Sequence, residues 1–207
     1  MDHPSFSSTP VFYRRNLPHW HPGGAPIFLT WRLQGSLPTQ ARTARNGCAT
    51  EASPGREFRR LDALLDRGSS GPLWLKNPRI AALILQSLRK GARELHYFVL
   101  HAFVIMPNHI HLLITPHVSM RRITNGLKGS TAREANIILG RTGGRFWQDE
   151  SFDHWVRSTA EFARIWNYIE LNPVTAQLVT RPQDWPWSSA KLLPRHQDDY
   201  VRPSYPQ

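Results

Sequence analysis

The sequence predicts an α+β domain, a small antiparallel sheet with helices packed against one face. Three observations carry that prediction. Two strand-like runs flank a Met106-Pro-Asn turn, a third apolar run lies well upstream, and helical periodicity fills most of the remainder, in the order strand, helices, hairpin, helix, helix.

Residues 1–25 are rich in Pro, Gly, Ser and His and read as an irregular N-terminal arm. Ile27-Phe-Leu-Thr-Trp-Arg-Leu33, bounded by Pro26 and Gly35, reads as a buried strand. From Pro38 the composition turns to Thr, Ala, Arg and Gly without periodicity, so an insertion is expected over about 38–75. Within it one helix is predicted near Arg56–Asp66, closed by Gly68. A second begins at Asn77-Pro78, where Asn caps and Pro suits the first helical position, and Ile80, Leu83, Ile84 and Leu88 follow at helical spacing. Tyr97 to Ile105 and His109 to Ile114 then form an antiparallel hairpin. A helix over roughly Met120–Leu139 ends at Gly140, and a last helix starts at the capping box Ser158-Thr-Ala-Glu161, with Pro173 limiting its length. The segment 181–207 reads as a tail whose Trp185-Pro-Trp-Ser-Ser189 is a hydrophobic clip.

The 207 residues carry a net charge of +11, and of the 26 basic residues 22 are Arg. Codon bias accounts for Arg over Lys but not for the excess of positive charge, which excludes an acidic or neutral surface and favours a polyanion such as nucleic acid. The single Cys48 excludes an internal disulfide and a Cys-based zinc site. Met1 to Pro10 lacks the apolar core of a signal peptide, and the longest apolar stretch, Leu95 to Ile114, is broken by His96, His101, Asn108, His109 and His111. A cytoplasmic protein with no membrane span is the expectation.

His109-Ile110-His111 lies on a strand, so its two imidazoles share one face and can reach one divalent metal. Taken alone, the pair is also what two satisfied core or surface histidines look like. Tyr168 and Asn172 stand one turn apart on the last helix, so a phenol and an amide oxygen can approach one point. Their plainer alternative is a core tyrosine and a capping asparagine. An oxygen ligand beside two imidazoles suits Mn²⁺ or Mg²⁺ better than structural Zn²⁺. A tyrosine hydroxyl is only about 0.1% ionised at pH 7, a handicap of roughly 4 kcal/mol, so a phenol that attacks phosphorus needs a cation to polarise the phosphodiester. Attack by Tyr would leave a phosphotyrosine link that keeps the bond energy for rejoining, which is strand transfer rather than hydrolysis.

Four segments together carry a family resemblance: Val104-Ile-Met-Pro-Asn-His-Ile-His-Leu-Leu-Ile114, Leu127-Lys-Gly-Ser-Thr-Ala-Arg-Glu-Ala-Asn136, Phe146-Trp-Gln-Asp-Glu-Ser-Phe-Asp153 and Tyr168-Ile-Glu-Leu-Asn-Pro-Val174. In this order they resemble the single-tyrosine HUH transposases, in particular the bacterial REP-associated tyrosine transposases, relatives of the transposases of the smallest insertion sequences. The resemblance covers approximately residues 10–190. It implies a ferredoxin-like (RRM-like) core at 26–180, with the His pair on the sheet and Tyr on a helix. It further implies nicking and rejoining of single-stranded DNA near hairpins through a 5′-phosphotyrosine, by a monomer or homodimer in the bacterial cytoplasm at the nucleoid. By matched position Tyr168 becomes the nucleophile, His109 and His111 metal ligands, and Asn172 the third ligand, where related enzymes carry Gln. Gln177 replaces a Gly common in the family, and Thr39 to Gly71 is longer than in compact members.

Between Met120 and Arg145 the basic residues Arg121, Arg122, Lys128, Arg133, Arg141 and Arg145 face one acid, Glu134, and the stretch is expected to follow a phosphate backbone. Phe146 and Trp147 either stack on unpaired bases or anchor their loop to the core. A non-catalytic RRM-like nucleic-acid-binding module, with a structural His pair and Tyr168, is the alternative reading of the whole chain.

Overall fold

Strands form here where aromatic and β-branched residues run without interruption. The computed structural model describes residues 11–14, 18–21, 24–38, 54–68, 71–149 and 151–192. Cys48, residues 1–10, most of the predicted insertion before 54 and the tail from 193 lie outside the described residues. Strands β1 (Val11–Arg14) and β2 (Pro18–His21) pair antiparallel as a sheet of their own. The arm expected to be irregular therefore holds a hairpin: Val11, Phe12, Tyr13 and Trp20 supply strand propensity that the surrounding Pro and Ser residues mask in composition.

The main sheet contains β3 (Ile27–Arg32), β4 (Phe98–Ile105), β5 (His109–Pro116) and β6 (Phe152–Trp155), ordered β4-β5-β3-β6 with every pair antiparallel. Between β3 and β4 lie helices α1 (Pro54–Asp66) and α2 (Pro78–Arg89), and between β5 and β6 lies α3 (Met120–Ile138). Helix α4 (Thr159–Thr175) follows β6, and the short α5 (Ser189–Leu192) ends the described chain. Counted from β3, this is strand–helix–strand–strand–helix–strand with the last strand beside the first, the ferredoxin-like arrangement the sequence predicts. β6 was not among the predicted strands. At four half-buried residues it is too short for a periodicity to register.

The register decides which side chains share a face. Phe28 and Thr30 lie opposite Leu113 and His111, while Ile27, Leu29 and Trp31 project from the other side. On the Trp31 side α2 packs on α3. There Trp31 meets Trp147, whose Nε1 donates to Thr131 of α3 at 2.9 Å. Gly91, in the wide turn closing α2, lets the Phe98 ring come within 2.8 Å of where a Cβ would stand. On the Phe28 side α4 crosses β4 and β5, and α1 sets Phe58 against Phe28 and Phe152. The crossover helices α2 and α3 share one face and α1 and α4 cover the other, so the α+β sheet carries helices on both faces rather than on the single face expected.

Caps fix where the helices begin. Asn77 accepts from Arg79 N at 3.0 Å with Pro78 in the first turn, and Ser158 accepts from Glu161 N at 3.2 Å. Glu161 reaches back to Arg157 N at 2.7 Å, completing the predicted box one residue early. Helix α4 runs past Pro173 to Thr175. A proline in the last turn forfeits one hydrogen bond, and the turn beyond it is closed by Leu178 N to Pro173 O and Gln177 N to Val174 O, both 2.9 Å, a Schellman motif. Gln177 adopts φ +57 there, the left-handed conformation that suits glycine. After it, Trp185 Nε1 donates to Ile105 O at 3.0 Å and Ile105 N to Trp187 O at 2.8 Å, so the clip covers the open edge of β4.

Candidate active site

Asn108, His109 and His111 stand where the hairpin turn enters β5, and the alternation of the strand puts both imidazoles on the Phe28 side under α1 and α4. Both rings are fully buried, and their Nε2 atoms lie 3.1 Å apart. The outer nitrogens are held from behind. His109 Nδ1 donates to Asn108 Oδ1 at 2.7 Å, Asn108 Nδ2 in turn donates to Leu65 O of α1 at 2.9 Å, and His111 Nδ1 pairs with Thr30 Oγ1 at 2.7 Å. With Nδ1 carrying the proton, each Nε2 presents a lone pair to the other, the tautomer of a metal-ligating histidine.

Helix α1 adds oxygen to this point. Asp62 Oδ1 lies 3.2 Å from His111 Nε2 and 3.7 Å from His109 Nε2, and Asp66 Oδ1 lies 3.8 Å from His109 Nε2. Neither Oδ1 has a hydrogen-bond donor among the described residues. Asp62, His109 and His111 offer ligand atoms all within 4.8 Å of one another. Acceptors facing acceptors in a buried space are reconciled only by a cation or by shared protons.

The titration of the cluster reflects that crowding. Burial, with the charge of His111, pushes His109 down to about 3 against the pull of Asp62. Burial and the neighbouring Asp62 raise Asp66 to about 7, with His111 partly offsetting them. Burial also pushes Asp62 up, but the combined hydrogen bonds and charges of His111, His109 and Asn172 outweigh it and hold its carboxyl below the usual range. One carboxylate is therefore firmly ionised beside the histidines, and the other is poised.

Tyr168 projects from α4 into the same space, half-buried, its ring centroid 5.6 Å from that of His111 and 5.9 Å from that of Phe28. The structure thus brings together His109, His111 and Tyr168. Asn172 is buried one turn on, its side chain against Asp62 and its Oδ1 without a donor. Asp62, a carboxylate on α1 that the sequence did not point to, adds an oxygen to the histidine pair, and the side chain of Asn172, the expected third ligand, lies against Asp62. Asp62 and Asp66 escaped the sequence reading because they belong to the segment taken as an insertion. The available signal was two acids four apart among Leu61, Leu64 and Leu65, an unusual place for charge.

The basic stretch is placed differently from the site. Arg121, Arg122 and Arg133 are exposed on α3, which packs on the Trp31 side of the sheet, away from the histidines. Arg122 donates to Tyr97 Oη at 3.1 Å, Arg141 lies 4.1 Å from the centre of the Trp74 ring, and Arg145 pairs with Asp149 at 3.1 Å. Lys128 is spent inside the fold, its Nζ tying down Gln148 O at 2.8 Å, Asp149 O and Ser151 Oγ. Phe146 and Trp147 are 1% and 6% exposed. The stacking role suggested for them is corrected to the anchoring one: Phe146 packs on Trp74 and Trp147 on Trp31, leaving neither ring a face for a base.

The sequence profile of the family described as "Transposase IS200 like" matches residues 76–172, from the start of α2 through β5 to Asn172. The match covers just under half of the chain and makes residues 76–172 similar to the IS200-like transposases. A REP-associated tyrosine transposase of Escherichia coli (strain K12) is 27% identical over 96 residues, 44% of this chain and 54% of that protein, so the alignment spans about half the relative's length. A solved REP-associated tyrosine transposase bound to a REP hairpin is similar in fold, with a TM-score of 0.51, 18% identity, and coverage of 94% of this chain and 93% of that one. The matched segment contains both histidines, Tyr168 and Asn172, whereas Asp62 and Asp66 lie before it. No helix among the described residues is long and apolar enough to cross a membrane.

Proposed function

We propose that this chain nicks and rejoins hairpin-bearing single-stranded DNA, with Tyr168 as nucleophile beside a divalent cation held by His109, His111 and Asp62. The observation that carries this reading is the convergence of two Nε2 lone pairs and an ionised carboxylate in one buried cluster with the Tyr168 ring against it. Mg²⁺ or Mn²⁺ suits the mixed nitrogen and oxygen set, and when bound it supplies Lewis-acid polarisation of a phosphodiester. In the reaction Tyr168 Oη forms a bond to phosphorus as the 3′-oxygen leaves and takes up a proton, giving a 3′-hydroxyl and a 5′-phosphotyrosine. Return attack by a 3′-hydroxyl restores the phosphodiester and frees the phenol.

The chain's own residues do the positioning. Asn108 and Thr30 hold the imidazoles in register, Phe28 and Phe58 wall the Tyr168 ring, and the cap at Ser158 fixes the start of α4. Because both histidines are buried, a phosphate reaches them only from the half-exposed Tyr168 flank or as α1 gives way. Tyr168 meets the histidines of its own chain, which supports a site complete within one protomer, whether monomer or homodimer. Residues 26–180 make the transferase unit, with 1–25 as arm and 181–207 as tail, working at bacterial DNA in the cytoplasm. Arg121, Arg122, Arg133, Arg141 and Arg145 hold the phosphates of the hairpin stem from the α3 side, while Asn172 supports Asp62.

The test is nicking of an end-labelled hairpin oligonucleotide with Mn²⁺ present. Metal-dependent cleavage that His109→Ala abolishes, with hairpin binding retained, is the expected result. Binding without cleavage across several hairpins would establish instead the non-catalytic module, whose best support is the full burial of the histidine pair.

A further inference from the structure

We propose that Asp66 is a fourth ligand, so that the cation site is a two-histidine, two-carboxylate set straddling β5 and α1. This rests on the cation-site reading above and extends it to a residue outside the three that define the cluster. Asp62 and Asp66 stand four apart on α1 and therefore share a face. That face is turned to the sheet: Asp62 Oδ1 is 3.2 Å from His111 Nε2 and 3.7 Å from His109 Nε2, and Asp66 Oδ1 is 3.8 Å from His109 Nε2, so both carboxylates converge on the imidazole pair.

The second observation is energetic. Asp66 keeps only 14% of its side chain exposed, and its buried Oδ1 has no donor, although the exposed face of α1 was open to it. A carboxylate placed next to another carboxylate in a low-dielectric space destabilises the fold unless a cation or a shared proton lies between them. His109 is pushed towards its neutral form by burial and commits its Nδ1 proton to Asn108, so it brings no charge to Asp66. A divalent cation does: two carboxylates and two neutral imidazoles around it sum to zero charge, whereas Asp62 alone leaves a buried excess of +1. The link from Asn108 Nδ2 to Leu65 O fastens the last turn of α1 to the residue that orients His109, holding Asp66 in reach.

The experiment titrates metal-free full-length protein with Mn²⁺ by calorimetry and follows melting with and without Mn²⁺. Wild type, Asp62→Asn, Asp66→Asn and Asp66→Ser are compared. A ligand role predicts that both Asp66 variants bind Mn²⁺ at least about tenfold more weakly, gain less melting temperature from it, and in metal-free buffer melt no lower than wild type. Unchanged Mn²⁺ affinity in the Asp66 variants, with Asp62→Asn impaired, overturns the fourth ligand and leaves the three-residue site standing. No Mn²⁺ binding by wild type overturns both. Metal-free Asp66 variants that melt lower or fail to fold show a structural carboxylate and overturn the proposal.

Discussion

Asp66 and His109 pull the stability of the metal-free protein in opposite directions as pH changes. Asp66, held up at about 7 in the folded chain, titrates near 3.9 when unfolded. Between those values the folded chain binds more protons, so this group makes stability fall as pH rises from about 4 to about 7. His109, pushed down to about 3, binds fewer protons folded than unfolded over a similar window, and its contribution rises with pH. Asp66→Asn removes the falling arm alone. Urea unfolding in metal-free buffer should therefore show the variant gaining on wild type between pH 4 and pH 7, and a difference that is flat with pH would contradict the assigned environment. At this scale the sequence was legible where spacing alone dictates geometry: His109 and His111 must share a strand face, and Tyr168 and Asn172 a helix face. Asp62 and Asp66 were not, because their meeting with the histidines is set by how a helix far upstream docks on the sheet.

Helix α4 carries Tyr168, the proposed nucleophile, and both its ends are set by local rules that can be tested without reference to DNA. Ser158→Ala removes the cap on Glu161 N and should cost about 1 kcal/mol in chemical denaturation. At the other end Gln177 holds φ +57 in the Schellman turn. Gln177→Gly should raise stability by about 1 kcal/mol, and a loss on that substitution would mean that the Gln side chain makes a compensating contact. The start of α4 was readable because a capping box is a local pattern. Its end was not read from Pro173, since a proline in the final turn sacrifices one bond that the Schellman closure replaces. The short β6 and the β1–β2 hairpin were missed for a related reason: strands of four residues take their stability from pairing partners, which one window of sequence does not display.

Over the whole molecule the net charge is +11, and among the described residues the exposed arginines of α3 lie on the face of the sheet opposite the histidines. The helical period of α3 shows which arginines point outward, but not which side of the sheet the helix covers, and its packing against Trp31 and Trp147 puts Arg121, Arg122 and Arg133 across from the histidines. In the proposed function that surface holds the stem of a hairpin rather than the strand being cut. Hairpin affinity measured against salt should fall with a slope of about 0.9 per phosphate contact, and replacing those three arginines with alanine should flatten it without abolishing cleavage at low salt. A salt slope unchanged by the triple substitution would remove α3 from the binding surface.

The central claim is that Tyr168 becomes joined to DNA. The tryptic peptide beginning at Ile165 contains Tyr168 and none of the other four tyrosines of the chain, so mass spectrometry of protein incubated with hairpin DNA and Mn²⁺, then digested with nuclease and trypsin, reads the bond directly. A phosphonucleotide adduct on that peptide is the expected result, absent without Mn²⁺ and absent in Tyr168→Phe. Cleaved DNA with that peptide unmodified, or an adduct on another tyrosine, would contradict it.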